Sequence, residues 1–232
     1  MLILYSVFRR GFPMDPSPDI QAAMSAGRLW RGQDGGGHHP ACVSTGFEAL
    51  DRILPGRGWP VGVLMEVDAA PLPHLGTELF LPAMAAGTVA ERWAVWIAPP
   101  WTLHAPGLQA WGITPERVLV VDDPGTDAQG LWVMEQCLRC PACAIALCWV
   151  RDASRAALRR LRLAAAQGAG IGVLFRSRGH DRPSAAGIRL RVRPLRTGLS
   201  VEFTKIHGTL RRHRIRLDRS TPPAHPIDPT PK

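Results

Sequence analysis

The sequence changes from a glycine-rich linker to a folded core at Val43-Ser-Thr-Gly-Phe-Glu-Ala-Leu-Asp51, which leads into the apolar run Gly62-Val-Leu-Met-Glu-Val67. Thr45-Gly46 predicts a tight turn, and Leu50 is placed to pack a short helix. Between them lies Pro55-Gly-Arg-Gly-Trp-Pro60, where glycines at 56 and 58 allow positive φ. These pieces predict a turn and a helix that lead the chain into the first buried strand.

Short apolar runs alternate with helical segments from there to Phe175. The runs with the length of buried strands are Gly62–Val67, Trp93–Ile97, Val118–Val121, Ala144–Trp149 and Ile171–Phe175. The helical segments between them are Thr77–Arg92, Gln129–Leu138 and Ser154–Gln167. This alternation predicts an α/β fold with a mostly parallel sheet flanked by helices.

The C-terminal part of the chain has a different period. Ile188-Arg-Leu-Arg-Val-Arg193 and Leu199-Ser-Val-Glu-Phe-Thr204 alternate apolar and polar residues, and Arg196-Thr-Gly198 can turn between them. A period of two with one polar face predicts half-exposed antiparallel strands at the end of the core.

The length of 232 residues, 46% of them hydrophobic, supports one sizeable core. We divide the chain into an N-terminal extension with a short helix and a linker (1–40), a core domain (41–218) and a proline-rich tail expected to be disordered (219–232). No apolar run approaches the ~20 residues of a membrane span, and we expect a cytoplasmic protein without membrane contact. Either Met1 or Met14 can be the translation start.

The chain is strongly basic, with a formal net charge of +9. Such a balance favours an acidic partner, most commonly nucleic acid, although a GC-rich genome also enriches Arg over Lys. Arg155, Arg159 and Arg162 share one helix face, which is typical of a solvated surface and, second, of a phosphate or partner contact.

Two further groups of arginines are candidate DNA or partner contacts, one in a loop after the last parallel strand and one on the C-terminal strands. They are Arg176, Arg178, Arg182, Arg189, Arg191, Arg193, Arg212, Arg214 and Arg216. Open α/β sheets bind ligands at that loop, and rows of Arg can grip phosphates without reading bases. The rows can also protect an exposed sheet edge. We expect the fold to survive the joint change of Arg176, Arg178 and Arg182 to Ala.

The segment 43–51 resembles the opening signature of the RecA family core, S/T-T-G-x-x-x-L-D before a glycine-rich turn and the first strand. Over roughly residues 20–218 the chain is more closely similar to the ImuA family of RecA-like accessory proteins. The matching pieces are Leu29-Trp-Arg-Gly32, Thr45–Asp51, Gly58-Trp-Pro60, Ile97-Ala-Pro-Pro100, Ala105-Pro106, Leu158–Ala165 and Leu174-Phe-Arg176. The SulA-type cell-division inhibitors are distant relatives of the same group.

The ImuA resemblance implies a RecA-like core that acts in SOS-type DNA repair and error-prone translesion synthesis. It implies docking to a Y-family-like partner of the ImuB type, with RecA and DNA phosphates as further candidate partners. A SulA-like cell-division inhibitor is the alternative that the same resemblance supplies. A cryptic RecA-like ATPase is the enzyme alternative.

The phosphate-binding loop of a RecA-like core is degenerate in this chain. A working P-loop needs G-x-x-x-x-G-K-[ST], because its amides and Lys hold phosphate and its hydroxyl holds Mg²⁺. The corresponding positions here are Asp68, Gly76, Thr77 and Glu78, and the loop contains no Lys. Pro71 and Pro73 also remove amide donors.

Two acidic positions of the hydrolysis machinery are replaced as well. Cys148 stands at the Walker-B Asp, and Pro99-Pro100 stand where the catalytic Glu is expected. Asp152, three residues past the predicted strand 144–149, is the remaining candidate for a displaced acid. We therefore predict no catalytic residues, no cofactor and no metal.

The spacing of Cys137, Cys140, Cys143 and Cys148 superficially resembles an iron–sulfur or zinc run. Cys143 and Cys148 fall on one predicted strand, where a rise of ~3.3 Å per residue separates them by roughly 16 Å. That distance is too long for one cluster, so we favour small buried core cysteines. A Cys137–Cys140 or Cys140–Cys143 redox pair is the alternative.

We expect the protein neither to bind ATP tightly nor to hydrolyse it, because the loop 68–78 lacks Lys and its two acids repel a triphosphate. Isothermal titration of the full chain with Mg²⁺-ATP measures this directly. Micromolar binding that depends on Mg²⁺ would show that the expectation is wrong.

Overall fold

The computed structural model describes residues 41–69, 72–177, 182–206 and 212–218. The expected N-terminal extension 1–40, the tail 219–232, Pro71 and Arg178 lie outside the described residues, as do Met1 and Met14. Within the described ranges, no helix has the length and apolar character needed to cross a bilayer.

The opening segment folds around one carboxylate. Strand β1 (Cys42–Val43) pairs antiparallel with β2 (Trp59–Pro60), and helix α1 (Glu48–Asp51) lies between them in the sequence. The Asp51 carboxylate accepts hydrogen bonds from the Ser44 hydroxyl at 2.8 Å and the Thr45 amide at 3.0 Å. The predicted turn and short helix are therefore present, and hydrogen bonds to the Asp51 carboxylate hold the turn against the helix.

The two glycines of the turn serve different purposes. Gly56 adopts a φ of 82°, as expected. The expectation of positive φ at Gly58 is wrong, because the left-handed residue beside it is Arg57, with a φ of 60°. Gly58 is instead required for close approach, since a Cβ there would lie 2.4 Å from the Val43 carbonyl oxygen.

Eight further strands form one sheet. They are β3 (Leu64–Asp68), β4 (Trp93–Ile97), β5 (Val118–Val121), β6 (Cys143–Val150), β7 (Ile171–Arg176), β8 (Ile188–Leu195), β9 (Gly198–Ile206) and β10 (His213–Asp218). Their order is β10-β9-β8-β3-β7-β6-β4-β5. Neighbours from β8 to β5 are parallel, and β9 and β10 continue the sheet antiparallel, which confirms the predicted fold class.

Helices pack on both faces of the sheet. They are α2 (Leu81–Val89), α3 (Ala105–Ala110), α4 (Asp127–Arg139) and α5 (Arg155–Gly168). Alternate residues along each strand point to opposite faces, so the apolar strands supply two separate cores. One core contains α2 with Trp59 and Phe80, and the other contains the apolar sides of α4 and α5. The predicted helix 77–92 is shorter than expected, because a 3-10 turn (Thr77–Leu79) precedes α2.

The position of β8 differs from the sequence expectation in one respect. β8 pairs antiparallel with β9, as predicted, but its other edge pairs in parallel with β3 in the middle of the sheet. This register places Arg189 beside Glu66 and Arg191 beside Asp68. The basic face of β8 therefore meets the acidic face of β3.

Candidate functional site

The loop after β3 is closed by its own hydrogen bonds. The amides of Leu72, Leu75 and Thr77 donate to carbonyls three residues earlier, at 2.9 to 3.2 Å. Gly76 takes a left-handed φ of 86°, and its amide donates to the Glu78 carboxylate at 2.8 Å. A carboxylate of the chain thus accepts the hydrogen bond that a P-loop glycine would offer to phosphate.

Thr77, which replaces the P-loop Lys, also forms its side-chain hydrogen bond within the loop. Its side chain is buried, and its hydroxyl donates to the His74 carbonyl at 2.7 Å. The hydroxyl therefore tightens the turn that starts the 3-10 helix instead of facing a ligand.

An aromatic cluster occupies the carboxyl ends of the central strands. Trp149 of β6 stacks on Phe175 of β7 with ring centroids 4.6 Å apart, and Trp101 meets Trp149 edge-on at 5.1 Å. The Trp149 indole N–H donates to the Pro73 carbonyl at 2.9 Å, which fastens the loop to the sheet.

Beside these rings lies a cavity of about 370 Å³. Its lining combines apolar residues such as Val67, Ala98 and Pro100 with Asp127 and Arg151. This edge is where open α/β sheets bind ligands. The lining favours an apolar occupant over a triphosphate, which needs several convergent donors.

The two residues nearest the Walker-B position are unsuited to hold a metal ion. Cys148 is fully buried, and burial, followed by the charge of Asp127, raises the pKa of its thiol to about 12. Asp152 lies two residues beyond β6, and its carboxylate accepts from Arg176 at 2.7 Å. The Arg176 hydrogen bond lowers the pKa of Asp152, so this carboxylate is ionised and committed to a guanidinium.

Glu66 is a fully buried carboxylate in the centre of the sheet. Arg176 and Arg189 each donate to it at 3.0 Å, and the Ser184 hydroxyl donates at 2.5 Å. The expectation that Arg176 lies in an exposed loop is wrong, because β7 extends to include it and its side chain is only 2% exposed. A buried carboxylate on the adjacent strand requires this countercharge.

Asp68 of β3, the first residue of the degenerate loop, has a similar role. It accepts from Arg191 at 3.1 Å and from Arg193 at 3.0 Å. Arg189, Arg191 and Arg193 do share one face, as the period predicted, but they are directed at the carboxylates of β3. Any phosphate contact by these three arginines would compete with the ion pairs.

The other predicted arginines are more accessible. Arg182 is 74% exposed and reaches Asp152 at 3.4 Å. On β10 Arg214 pairs with Glu202 at 3.1 Å, and Arg212 and Arg216 are exposed at the edge of the sheet. Arg178 lies outside the described residues, so the structure brings together only part of the predicted basic loop.

The four clustered cysteines lie on α4, on β6 and between them, and Cys42 lies on β1. Cys143 and Cys148 are buried in β6, Cys137 is half-buried and Cys140 is exposed. Burial also raises the pKa of Cys143 to about 12. Among the described residues, His, Cys, Asp and Glu side chains form no group of three that could hold a metal ion.

Sequence reasoning missed the structural role of Glu66. A signal for it is present, because Glu66 and Asp68 interrupt an apolar run at alternate positions, and Arg189 and Arg191 have the same spacing on β8. Buried charges are almost always paired, so a second strand of opposite charge is the expected neighbour.

Comparisons with known proteins support part of the sequence expectation. Residues 62–172, just under half of the chain, match the family model of the cell division inhibitor SulA. A crystal structure of SulA from Pseudomonas aeruginosa is similar at 28% identity, covering 48% of this chain and 94% of that chain, with a TM-score of 0.39. No curated protein matches the chain. The segment from just before β3 to the start of β7 is thus SulA-like, and β8 to β10 lie outside it.

Changing Arg176 to Ala is expected to lower the free energy of unfolding by about 3 kcal/mol, because Glu66 would keep its buried charge with one guanidinium fewer. This replaces the expectation that the fold tolerates the change. Urea unfolding of the full chain measures the loss. Arg182→Ala is the matched control and should shift stability by no more than about 0.5 kcal/mol.

Adding Glu66→Gln to Arg176→Ala should recover part of the lost stability, because it removes the unpaired charge. Equal stability of the Arg176→Ala and Arg182→Ala variants would contradict the assigned role of Arg176.

Proposed function

We propose that this chain is a non-catalytic RecA-like accessory protein that docks a Y-family-like partner of the ImuB type in error-prone translesion synthesis. The resemblance to the ImuA family supports this assignment, because its pieces include segments on both sides of the SulA-like region 62–172. Thr45–Asp51 precedes that region and Leu174-Phe-Arg176 follows it. The proposed setting is an SOS-type response to DNA damage.

The proposal that the chain is non-catalytic is supported by the hydrogen bonding of the loop after β3. Its Gly76 amide is bound by the Glu78 carboxylate, and the loop is fastened to Trp149. A nucleotide would have to displace an intrachain anion, without a Lys to compensate. This closed arrangement supports a docking role over a cryptic ATPase.

A SulA-like cell-division inhibitor is the second candidate, favoured by the family match over residues 62–172. The three strands β8, β9 and β10 extend the sheet beyond that segment and provide surface that the matched region lacks. This added surface favours an additional partner.

Assays with two purified candidate partners distinguish these two functions. We expect the full chain to co-elute in size-exclusion chromatography with the Y-family-like protein encoded beside it. We expect it to leave the GTP-dependent polymerisation of the cell-division GTPase from the same cells unchanged. Inhibition of polymerisation without co-elution would overturn the proposal in favour of the SulA-like alternative.

DNA contact by this protein is proposed to fall on the exposed members of the predicted arginine groups, which are Arg182, Arg212, Arg214 and Arg216. Their side chains are open to solvent, whereas Arg176 is buried against Glu66. Binding of this kind reads phosphates and is therefore weak, independent of sequence and sensitive to salt.

Changing Arg212, Arg214 and Arg216 together to Gln should weaken the salt dependence of binding to single-stranded oligo-dT. The slope of log K against log salt concentration should fall in magnitude by about 2, because each lost phosphate contact accounts for roughly 0.7. Fluorescence anisotropy across a salt series measures the slope. Arg196→Gln, in the turn between β8 and β9, is the control and should leave it unchanged. An equal slope in the wild type and the triple variant would show that these three arginines do not contact DNA.

A further inference from the structure

A groove of about 660 Å³ runs between α5 and the segment that precedes β8. The apolar residues of its lining that are partly or fully exposed include Pro55, Val63, Pro183 and Ala185. The opposite wall is the face of α5 that carries Arg155, Arg159, Arg162 and Ala166, spaced i, i+4, i+7 and i+11. The groove therefore combines an apolar floor with a row of cations.

The charges of this wall are not neutralised within the described part of the chain. There, Arg155, Arg159 and Arg162 form no ion pair with any described residue. Arg160 provides the contrast, because it lies on the other side of α5 and binds Glu135 at 2.9 Å. A helix that pairs one arginine and leaves three along a groove has an excess of positive charge on the groove side.

Lys205 of β9 adds a fourth cation to the groove. Its ammonium donates to the carbonyls of Ser184 and Ala186 at 3.1 and 2.6 Å, which fixes it in place. Burial, then the like charges of Arg189 and Arg162, lower the pKa of Lys205, while Glu66 raises it. Positive charge from β9 and α5 thus converges on one cleft.

We propose that this groove binds an acidic amphipathic segment of a partner protein, with apolar side chains on the floor and Asp or Glu facing α5. Charge complementarity selects an acidic ligand. The apolar floor selects a polypeptide, in the manner of a helix that lies in a hydrophobic groove. Nucleic acid is disfavoured because single strands stack on aromatic platforms, and the lining that the structure describes has no aromatic residue.

The proposal deepens the proposed function, since the docking partner would carry this segment, but it can be tested without that partner. The probe is a displayed library of random peptides of about 16 residues, which as helices span roughly 24 Å. Selection is made on the full-length wild-type chain. We expect enriched peptides that combine Asp or Glu with Leu, Ile or Phe at helical spacing.

Two matched pairs of variants locate the binding site of those peptides. Ala166→Trp fills the groove without a change of charge and should weaken binding more than about tenfold. Ala156→Trp, exposed on another side of α5, should leave it unchanged. Arg159→Glu should weaken binding at least about fivefold, whereas Arg196→Glu makes the same charge change elsewhere and should not.

Failure to enrich acidic amphipathic peptides would overturn the groove proposal, as would equal binding by the Ala166→Trp and Ala156→Trp variants. Oligo-dT binding lost in Arg159→Glu but kept in Ala166→Trp, without peptide binding, would assign the wall to nucleic acid. The proposed function is judged separately, by co-elution of the wild-type chain with the Y-family-like protein. If that co-elution persists in Ala166→Trp while peptide binding is lost, the groove serves another acidic protein.

Discussion

The buried carboxylate of Glu66 is the constraint on which the C-terminal half of the sheet depends. Desolvating a carboxylate costs several kcal/mol unless it is paired and hydrogen-bonded. Glu66 meets this requirement with Arg176 from β7, Arg189 from β8 and the hydroxyl of Ser184. Because the two arginines come from the two strands that flank β3, they meet at Glu66 only when β8 lies parallel to β3 in one register. A slip of one residue would turn the arginines of β8 into the apolar core.

The same network determines what the carboxyl edge of the sheet can bind. Arg176 links Glu66 to Asp152, so the acid closest to the Walker-B position is held by a buried guanidinium. The Gly76 amide donates to the Glu78 carboxylate, and the Trp149 indole N–H donates to the Pro73 carbonyl of the same loop. A ligand at this edge would meet aromatic surface and paired charges. The groups at the phosphate-binding positions and the acid closest to the Walker-B position thus form hydrogen bonds within the chain.

Much of this architecture is predictable from the sequence, because buried parallel strands are short apolar runs with clear ends. Trp93–Ile97 and Val118–Val121 have the predicted bounds in the structure. The parallel pairing of β8 was not predictable from its own alternation, which is the same whichever strand lies beside it. It depends on a long-range match between the acids of β3 and the arginines of β8. Similarly, Gly58 is needed for a contact with Val43 that only the folded turn creates.

The net charge of the chain counts every arginine equally, but in the folded structure some arginines are buried in ion pairs and others are exposed. Arg176 and Arg189 are countercharges of one buried carboxylate, and they contribute little field beyond the sheet. Two rows of exposed arginines lie on separate elements, Arg155, Arg159 and Arg162 on α5 and Arg214 and Arg216 on the edge strand β10. The α5 row borders an apolar groove, which suits a polypeptide, and the β10 row borders the open edge of the sheet, which suits phosphates. The proposed accessory role would use both surfaces, because it requires the chain to hold a protein and a nucleic acid at once.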